Sequence, residues 1–167
     1  MPELIAEVIL VLAKKQIGAL IAFERGISLR GYEDTGVMIN ADFSKELIVN
    51  IFTPPLPLHD GGLTIRNGRI SAAHCVFPVS NNPELIVSGM RHRAAVGLSE
   101  DTDALIIVVS EETGAISVAH NGKLIRYKRE DATQPLKRWI GKVMPDAKQN
   151  HHRVLDWLRT FFSKGQK

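Results

Sequence analysis

Three short segments carry the residue types that phosphate and metal chemistry needs. In Pro57-Leu58-His59-Asp60-Gly61-Gly62 a carboxylate stands beside two glycines. Glycine adds no side chain, so a ligand can lie close to the backbone there. Asp60 offers hard oxygen donors suited to Mg²⁺ or Mn²⁺ bound beside phosphates. A carboxylate can also take a proton from a hydroxyl. The same Asp-Gly pair equally suits an ordinary turn.

The second segment is Gly89-Met90-Arg91-His92-Arg93-Ala94-Ala95. Arg91 and Arg93 lie two apart, so on a helix they point to different faces. One can meet phosphate while the other makes a structural ion pair. A helix start presents free N–H groups and the positive end of the dipole, and arginine adds a fork of donors that fits phosphate. His92 suits a metal ligand, a phosphate donor or a packed, hydrogen-bonded histidine, and a solvated basic turn accounts for the tripeptide as well. The third segment, Ser110-Glu111-Glu112-Thr113-Gly114, follows the most apolar run of the chain. It falls at a strand end, where ligands often bind in α/β folds. Its hydroxyls could contact phosphate and one carboxylate could hold a cation; adjacent glutamates in a turn are also simply solvated.

The elements around these segments alternate between helical and strand patterns. Pro2, Leu4, Ile5, Val8, Ile9, Val11 and Leu12 predict a first helix with a broad buried stripe. Residues 18–24 predict a buried strand and residues 25–35 a polar loop. Asp42 or Ser44 is positioned to cap a short helix running to Phe52. Pro54, Pro55 and Pro57 then exclude regular structure until Leu58. Two hairpins follow from Asn67-Gly68 and Asn121-Gly122, since both positions of such a turn take positive φ. They join residues 62–66 to 69–77 and residues 115–119 to 123–127. Residues 104–110 form an unbroken apolar run suited to a central strand covered on both faces. Residues 80–90 predict a loop, and 91–98 a helix ending near Ser99. The fold class expected is α/β (α+β): a central mixed β-sheet flanked by helices, with a C-terminal helical extension. Leu136, Trp139, Ile140 and Val143, then Val154, Leu155, Leu158 and Phe162, mark that extension as two helices separated by Pro145.

The 167 residues are 44% hydrophobic and 23% charged, as in an ordinary globular protein. Cys75 is the single cysteine, so no intrachain disulfide exists, and its apolar surroundings predict a buried small hydrophobe. No apolar segment reaches the ~18 residues of a transmembrane helix. Glu3 and Glu7 stand where a secretory signal would carry positive charge, which argues against secretion, and the single cysteine fits a reducing, cytoplasmic setting. The net charge of +3 conceals an asymmetry: residues 1–122 carry nine Lys/Arg against fourteen Asp/Glu, residues 123–167 twelve against four. A basic tail suits nucleic acid, anionic lipid or a protein partner, and equally a solvated helical face. Its charges are scattered among Trp139, Trp157, Leu158, Phe161 and Phe162, which argues against a specific nucleic-acid surface. There is no GxxxxGK[ST], GxGxxG after a strand, CxxC, HExxH or GxSxG pattern. His151-His152 is an isolated pair on the basic tail.

Taken in order, PLHDGG, RHRAAVG and SEETG resemble the diadenylate cyclase catalytic domain, with IGALIAFERG, NGRISAA and TDALIIVVSEETGAISVAHNGKL as supporting blocks. The resemblance is closest to the membrane-type CdaA branch and runs from about residue 3 to about residue 128. It implies a catalytic domain over residues 1–128 and a basic helical extension over 129–167. It implies one ATP per domain and a face-to-face homodimer. Each ribose 3′-hydroxyl attacks the α-phosphate of the opposite ATP, giving cyclic di-AMP and two pyrophosphates. Asp60 would then hold the catalytic metal, Mg²⁺ or Mn²⁺, and help activate the 3′-hydroxyl. Gly61 and Gly62 would let the nucleotide approach the backbone. Arg91 and His92 match the phosphate-binding segment as catalytic residues, with Met90 beside them and Arg93 in support. Ser110 and Glu111 correspond to ATP contacts, Glu112 to a metal contact, and Val76 and Phe77 to the adenine wall. In membrane-type members the catalytic domain follows transmembrane helices. This implies anchoring of a full-length protein at the cytoplasmic face of the cell membrane, through such helices or the basic extension.

Three residues depart from the family pattern. Gly62 replaces a common alanine, Met90 a usual threonine, and Val76 a frequent tyrosine. Met90 removes a hydroxyl near the phosphates, which favours an alternative: a catalytically weak nucleotide-binding or sensor module of the same fold.

Overall fold

The computed structural model describes residues 2–85 and 89–143. The Pro2 helix forms as expected, α1 (Pro2–Lys14), and buries Ile5, Val8, Ile9 and Leu12. It leads into β1 (Ala19–Phe23), buried along its whole length. The segment expected as loop contains a short helix, α2 (Arg30–Glu33). Four residues are too few to show a period, and what anchors α2 is the buried Glu33. Its carboxylate accepts a hydrogen bond from Thr64 Oγ1 (3.1 Å) and pairs with Arg66 (3.2 Å). A strand not expected from the sequence follows, β2 (Val37–Asp42), broken by a bulge between Met38 and Ala41.

Of the two proposed caps, Ser44 serves α3 (Lys45–Phe52), accepting from the Leu47 N–H at 3.3 Å; Asp42 instead ends β2. No helix or strand spans residues 53–61. The first Asn-Gly hairpin joins β3 (Gly62–Arg66) to β4 (Arg69–Cys75), with φ of 52° and 77° at Asn67 and Gly68. The next helix is longer than expected, α4 (Met90–Asp101). Then come β5 (Leu105–Val109), β6 (Ile116–His120) and β7 (Lys123–Tyr127), the last two joined at Asn121-Gly122, φ 50° and 70°. The described chain ends in α5 (Thr133–Val143). The second expected tail helix and His151-His152 lie outside the described residues.

The seven strands form one mixed sheet in the order β2-β4-β3-β1-β5-β6-β7. Only β1 and β3 pair in parallel; every other neighbouring pair is antiparallel. Strand side chains alternate between faces, and both faces of the central strands are covered. Ile21, Phe23, Ile107 and Val109 join the core beneath α1, α3 and α5. Leu20, Ala22, Ile106 and Val108 join the core beneath α4. This explains the unbroken apolar run of residues 104–109. Leu136 and Ile140 of α5 are fully buried in the α1 core, so the start of the basic tail packs on the sheet. No helix among the described residues is long and apolar enough to cross a membrane.

Candidate functional site

One pocket of about 680 Å³ collects ten of the twelve residues singled out in the sequence: Asp60, Gly61, Val76, Phe77, Met90, Arg91, His92, Ser110, Glu111 and Glu112. Three junctions build it. The loop before β3 brings Asp60, the end of β4 brings Val76 and Phe77, and the loop after β5 brings residues 110–113. The N-terminus of α4 closes the pocket with Gly89, Met90 and Arg91. A twelve-residue helix ending there directs free N–H groups and a partial positive charge at its contents.

Gly62 and Arg93 do not line the pocket. A Cβ on Gly62 would overlap the Phe77 ring, so the space beside this glycine belongs to Phe77. Tyr32 of α2 meets that ring edge-on at 6.0 Å between centroids. Thr35 Oγ1 accepts from the Val76 N–H at 2.9 Å, so α2 and the turn after it buttress the apolar wall. Arg93 points the other way, as spacing requires, and donates to the Ser80 carbonyl at 3.5 Å. Gly61 has a φ of +80°, and a Cβ there would press on the Cys75 carbonyl at 2.7 Å. Here glycine is demanded by the backbone itself.

The charged groups are unequally occupied. Arg91 Nη1 bonds Glu111 Oε2 at 2.7 Å across the pocket. Gly18 makes room for that pair: a Cβ there would lie 2.7 Å from each of the two bonded atoms. Ala19 faces Val109 in the β1–β5 register, which sets Gly18 beside the 110–113 loop. Arg91 Nε and His92 Nε2 are buried with no hydrogen-bond partner. Two such orphans on one helix turn point to a ligand that supplies the missing partners. Burial, then the charges of Arg126 and Arg91, lower the His92 pKa from 6.5, with Glu112 opposing. The imidazole is therefore harder to protonate than a solvated one.

Asp60 stands at the rim, its side chain 72% exposed, with His59 Nε2 at 3.7 Å. His59 Nδ1 lies 2.6 Å from the Leu56 carbonyl, which can only accept. The Nδ1 therefore carries a proton, and Nε2 is the ring nitrogen on the Asp60 side. Among the described residues no group of three His, Cys, Asp or Glu could hold a metal ion by itself. The donor set fits a cation bound by one or two protein groups plus substrate phosphates and water, as Mg²⁺ usually is. Burial pushes the Cys75 thiol up to about 11, so it lines the pocket as an unreactive group.

Sequence reasoning assigned no role to His59, Gly18 or Arg126, although His59 and Arg126 both line the pocket. His59 stands inside the first motif and was within reach. Gly18 and Arg126 have no local signal; only the strand order brings them here.

A family model described as "DAC: DisA bacterial checkpoint controller nucleotide-binding" matches residues 7–124. The chain is 48% identical over 135 residues to the cyclic di-AMP synthase CdaA of Bacillus subtilis, covering 80% of this chain and 50% of that protein. It is 46% identical over 121 residues to a diadenylate cyclase of Listeria monocytogenes, covering 72% and 44%. The chain thus spans about half the length of the curated relatives it matches. A crystal structure of a double mutant of DacA from Staphylococcus aureus superimposes with a TM-score of 0.81 at 39% identity, over 87% of this chain and 95% of that one. A structure of a hypothetical membrane spanning protein from Bacillus cereus gives 0.71 at 43% identity, over 74% and 61%.

Proposed function

The chain belongs to the DAC family of DisA-type nucleotide-binding domains, and from that premise we propose that it condenses two ATP molecules into cyclic di-AMP and two pyrophosphates. One observation carries this reading. A single pocket joins an apolar wall (Val76, Phe77) to a helix N-terminus with buried, unpartnered Arg91 Nε and His92 Nε2, and sets the exposed Asp60 at its rim. A base, a phosphate chain and a reacting hydroxyl need those three surroundings.

The reaction joins the 3′-oxygen of one ATP to the α-phosphorus of the other. The bond from that phosphorus to the bridging oxygen of the leaving pyrophosphate breaks, and the hydroxyl proton is released; this happens twice. Such transfer depends on positioning and charge stabilisation more than on covalent participation by the protein. The apolar wall holds the adenine, and the α4 N-terminus with Arg91 and Ser110 holds the phosphates. Asp60 draws the hydroxyl proton, and Glu111 keeps the Arg91 fork aimed across the pocket. Mg²⁺ or Mn²⁺, held by Asp60 with Glu112 nearby, would supply charge neutralisation at the α-phosphate. The pocket is open and Asp60 faces outward, so each domain offers half of a two-nucleotide site. A face-to-face homodimer completes it.

In the whole protein this domain would work at the cytoplasmic face of the membrane, a placement supported by the likeness to the membrane spanning protein from Bacillus cereus. Met90, 64% exposed at the pocket mouth, supports the second reading, a catalytically weak nucleotide sensor. Incubation with ATP and Mg²⁺ or Mn²⁺, followed by chromatography, separates the two. Cyclic di-AMP is expected, and ATP binding without product would favour the sensor. Asp60→Asn should abolish product while leaving the circular dichroism spectrum and melting temperature unchanged; retained turnover would remove Asp60 from the mechanism.

A further inference from the structure

We infer that Arg126 is a second phosphate-binding residue of this pocket, and that it takes the terminal phosphates that leave as pyrophosphate; this rests on the nucleotide reading above. Three independent placements support it. First, Arg126 lines the pocket, although it lies on the edge strand β7, outside the three motifs. Its register partner is Ser117, itself opposite Val108 of the α4-side core, so Arg126 emerges on the α4 face of the sheet.

Second, among the charged residues lining the pocket Arg91 is already paired with Glu111, whereas the Arg126 side chain has no hydrogen-bond or ion-pair partner among the described residues. An anionic ligand therefore finds at Arg126 a guanidinium whose whole donor fork is available. Arg126 is also close enough to act on the buried His92, whose depressed pKa comes from burial first and from Arg126 next. An anion between Arg126 and the orphaned His92 Nε2 would relieve both.

Third, the strand order gives the pocket a direction. The apolar wall follows β4 on one side of the sheet centre, the α4 N-terminus and the loop after β5 lie in the middle, and β7 is the far edge. A nucleotide with its base on Val76 and Phe77 and its α-phosphate at α4 points its remaining phosphates toward β7.

Titration calorimetry of ATP, AMP and inorganic pyrophosphate into the wild-type chain, Arg126→Ala and Arg126→Lys tests this. Arg126→Ala should weaken ATP and pyrophosphate by about tenfold or more, the scale of one lost charge-assisted contact. AMP should change by less than about twofold. Arg126→Lys, keeping the charge without the fork, should restore part of the loss. Equal weakening of ATP and AMP, or no change in either, overturns the inference while leaving the nucleotide reading intact. A wild-type chain that binds neither ATP nor pyrophosphate overturns both. Melting temperatures should match, because Arg126 is exposed.

Discussion

At the scale of single residues, the pocket depends on a glycine that does not line it. The atoms nearest a methyl group on Gly18 would be the ends of Arg91 and Glu111, two flexible side chains. Gly18→Ala should therefore fold with a melting temperature within a few degrees of wild type, while ATP affinity falls about tenfold as the ion pair opens. Calorimetry alongside thermal unfolding checks both halves. His92 gives a pH signature. Its folded pKa lies below its ordinary 6.5, so above that value both folded and unfolded chains hold it neutral and its contribution is fully present. As pH falls below 6.5 the unfolded chain takes up a proton the buried imidazole refuses, and stability drops until the folded group also protonates. His92→Gln should flatten the fall in melting temperature across that acidic window. These residues differ in how far the sequence exposed them. Asp60, Arg91 and Ser110 stand in motifs whose types announce phosphate chemistry. Gly18 and Arg126 are ordinary residues of a strand start and an edge strand, and their relevance arises from pairings between distant segments.

At the scale of elements, what the sequence made legible was what local physics decides. The Asn-Gly hairpins, the Ser44 cap and the buried β5 each follow from a few adjacent residues. What stayed hidden was decided at a distance. β2 is an edge strand with Val37 and Met38 exposed and a positive φ at Asn40, so no clean alternation marks it. α2 exists because Glu33 reaches Thr64 and Arg66, over thirty residues away. The reach of the basic extension belongs here too. Leu136 and Ile140 are fully buried against α1, while their basic neighbours Lys137 and Arg138 are not. Truncation after residue 131 removes both apolar anchors and should cost several kcal/mol, as burying a leucine or isoleucine is worth about 2–5 kcal/mol each by truncation. The melting temperature should fall by more than about 10 °C. Truncation after Val143 keeps both anchors and should therefore cost less than truncation after residue 131; thermal unfolding of the two shortened chains decides.

At the scale of the molecule, the proposed reaction asks for two copies. One pocket of about 680 Å³ suits one nucleotide, and the proposed reaction consumes two. The exposed Asp60 and Met90 at the rim, with Val76 beside them at 64% exposure, give the mouth the mixed apolar and charged character of a surface that meets another. ATP binding, as proposed, draws only on the wall, the α4 N-terminus and the arginines of a single chain. Binding and turnover should therefore separate with dilution. Affinity for ATP, measured per chain, should be independent of protein concentration, whereas cyclic di-AMP formed per chain should fall in proportion as the protein is diluted below its dimer dissociation constant. Mixing an excess of Asp60→Asn chains into wild type should suppress product more than dilution with buffer does, because mixed pairs retain only one competent Asp60. A rate per chain that stays constant on dilution while sedimentation reports monomers would mean that one copy performs both transfers, and the half-site reading of the pocket would have to be abandoned.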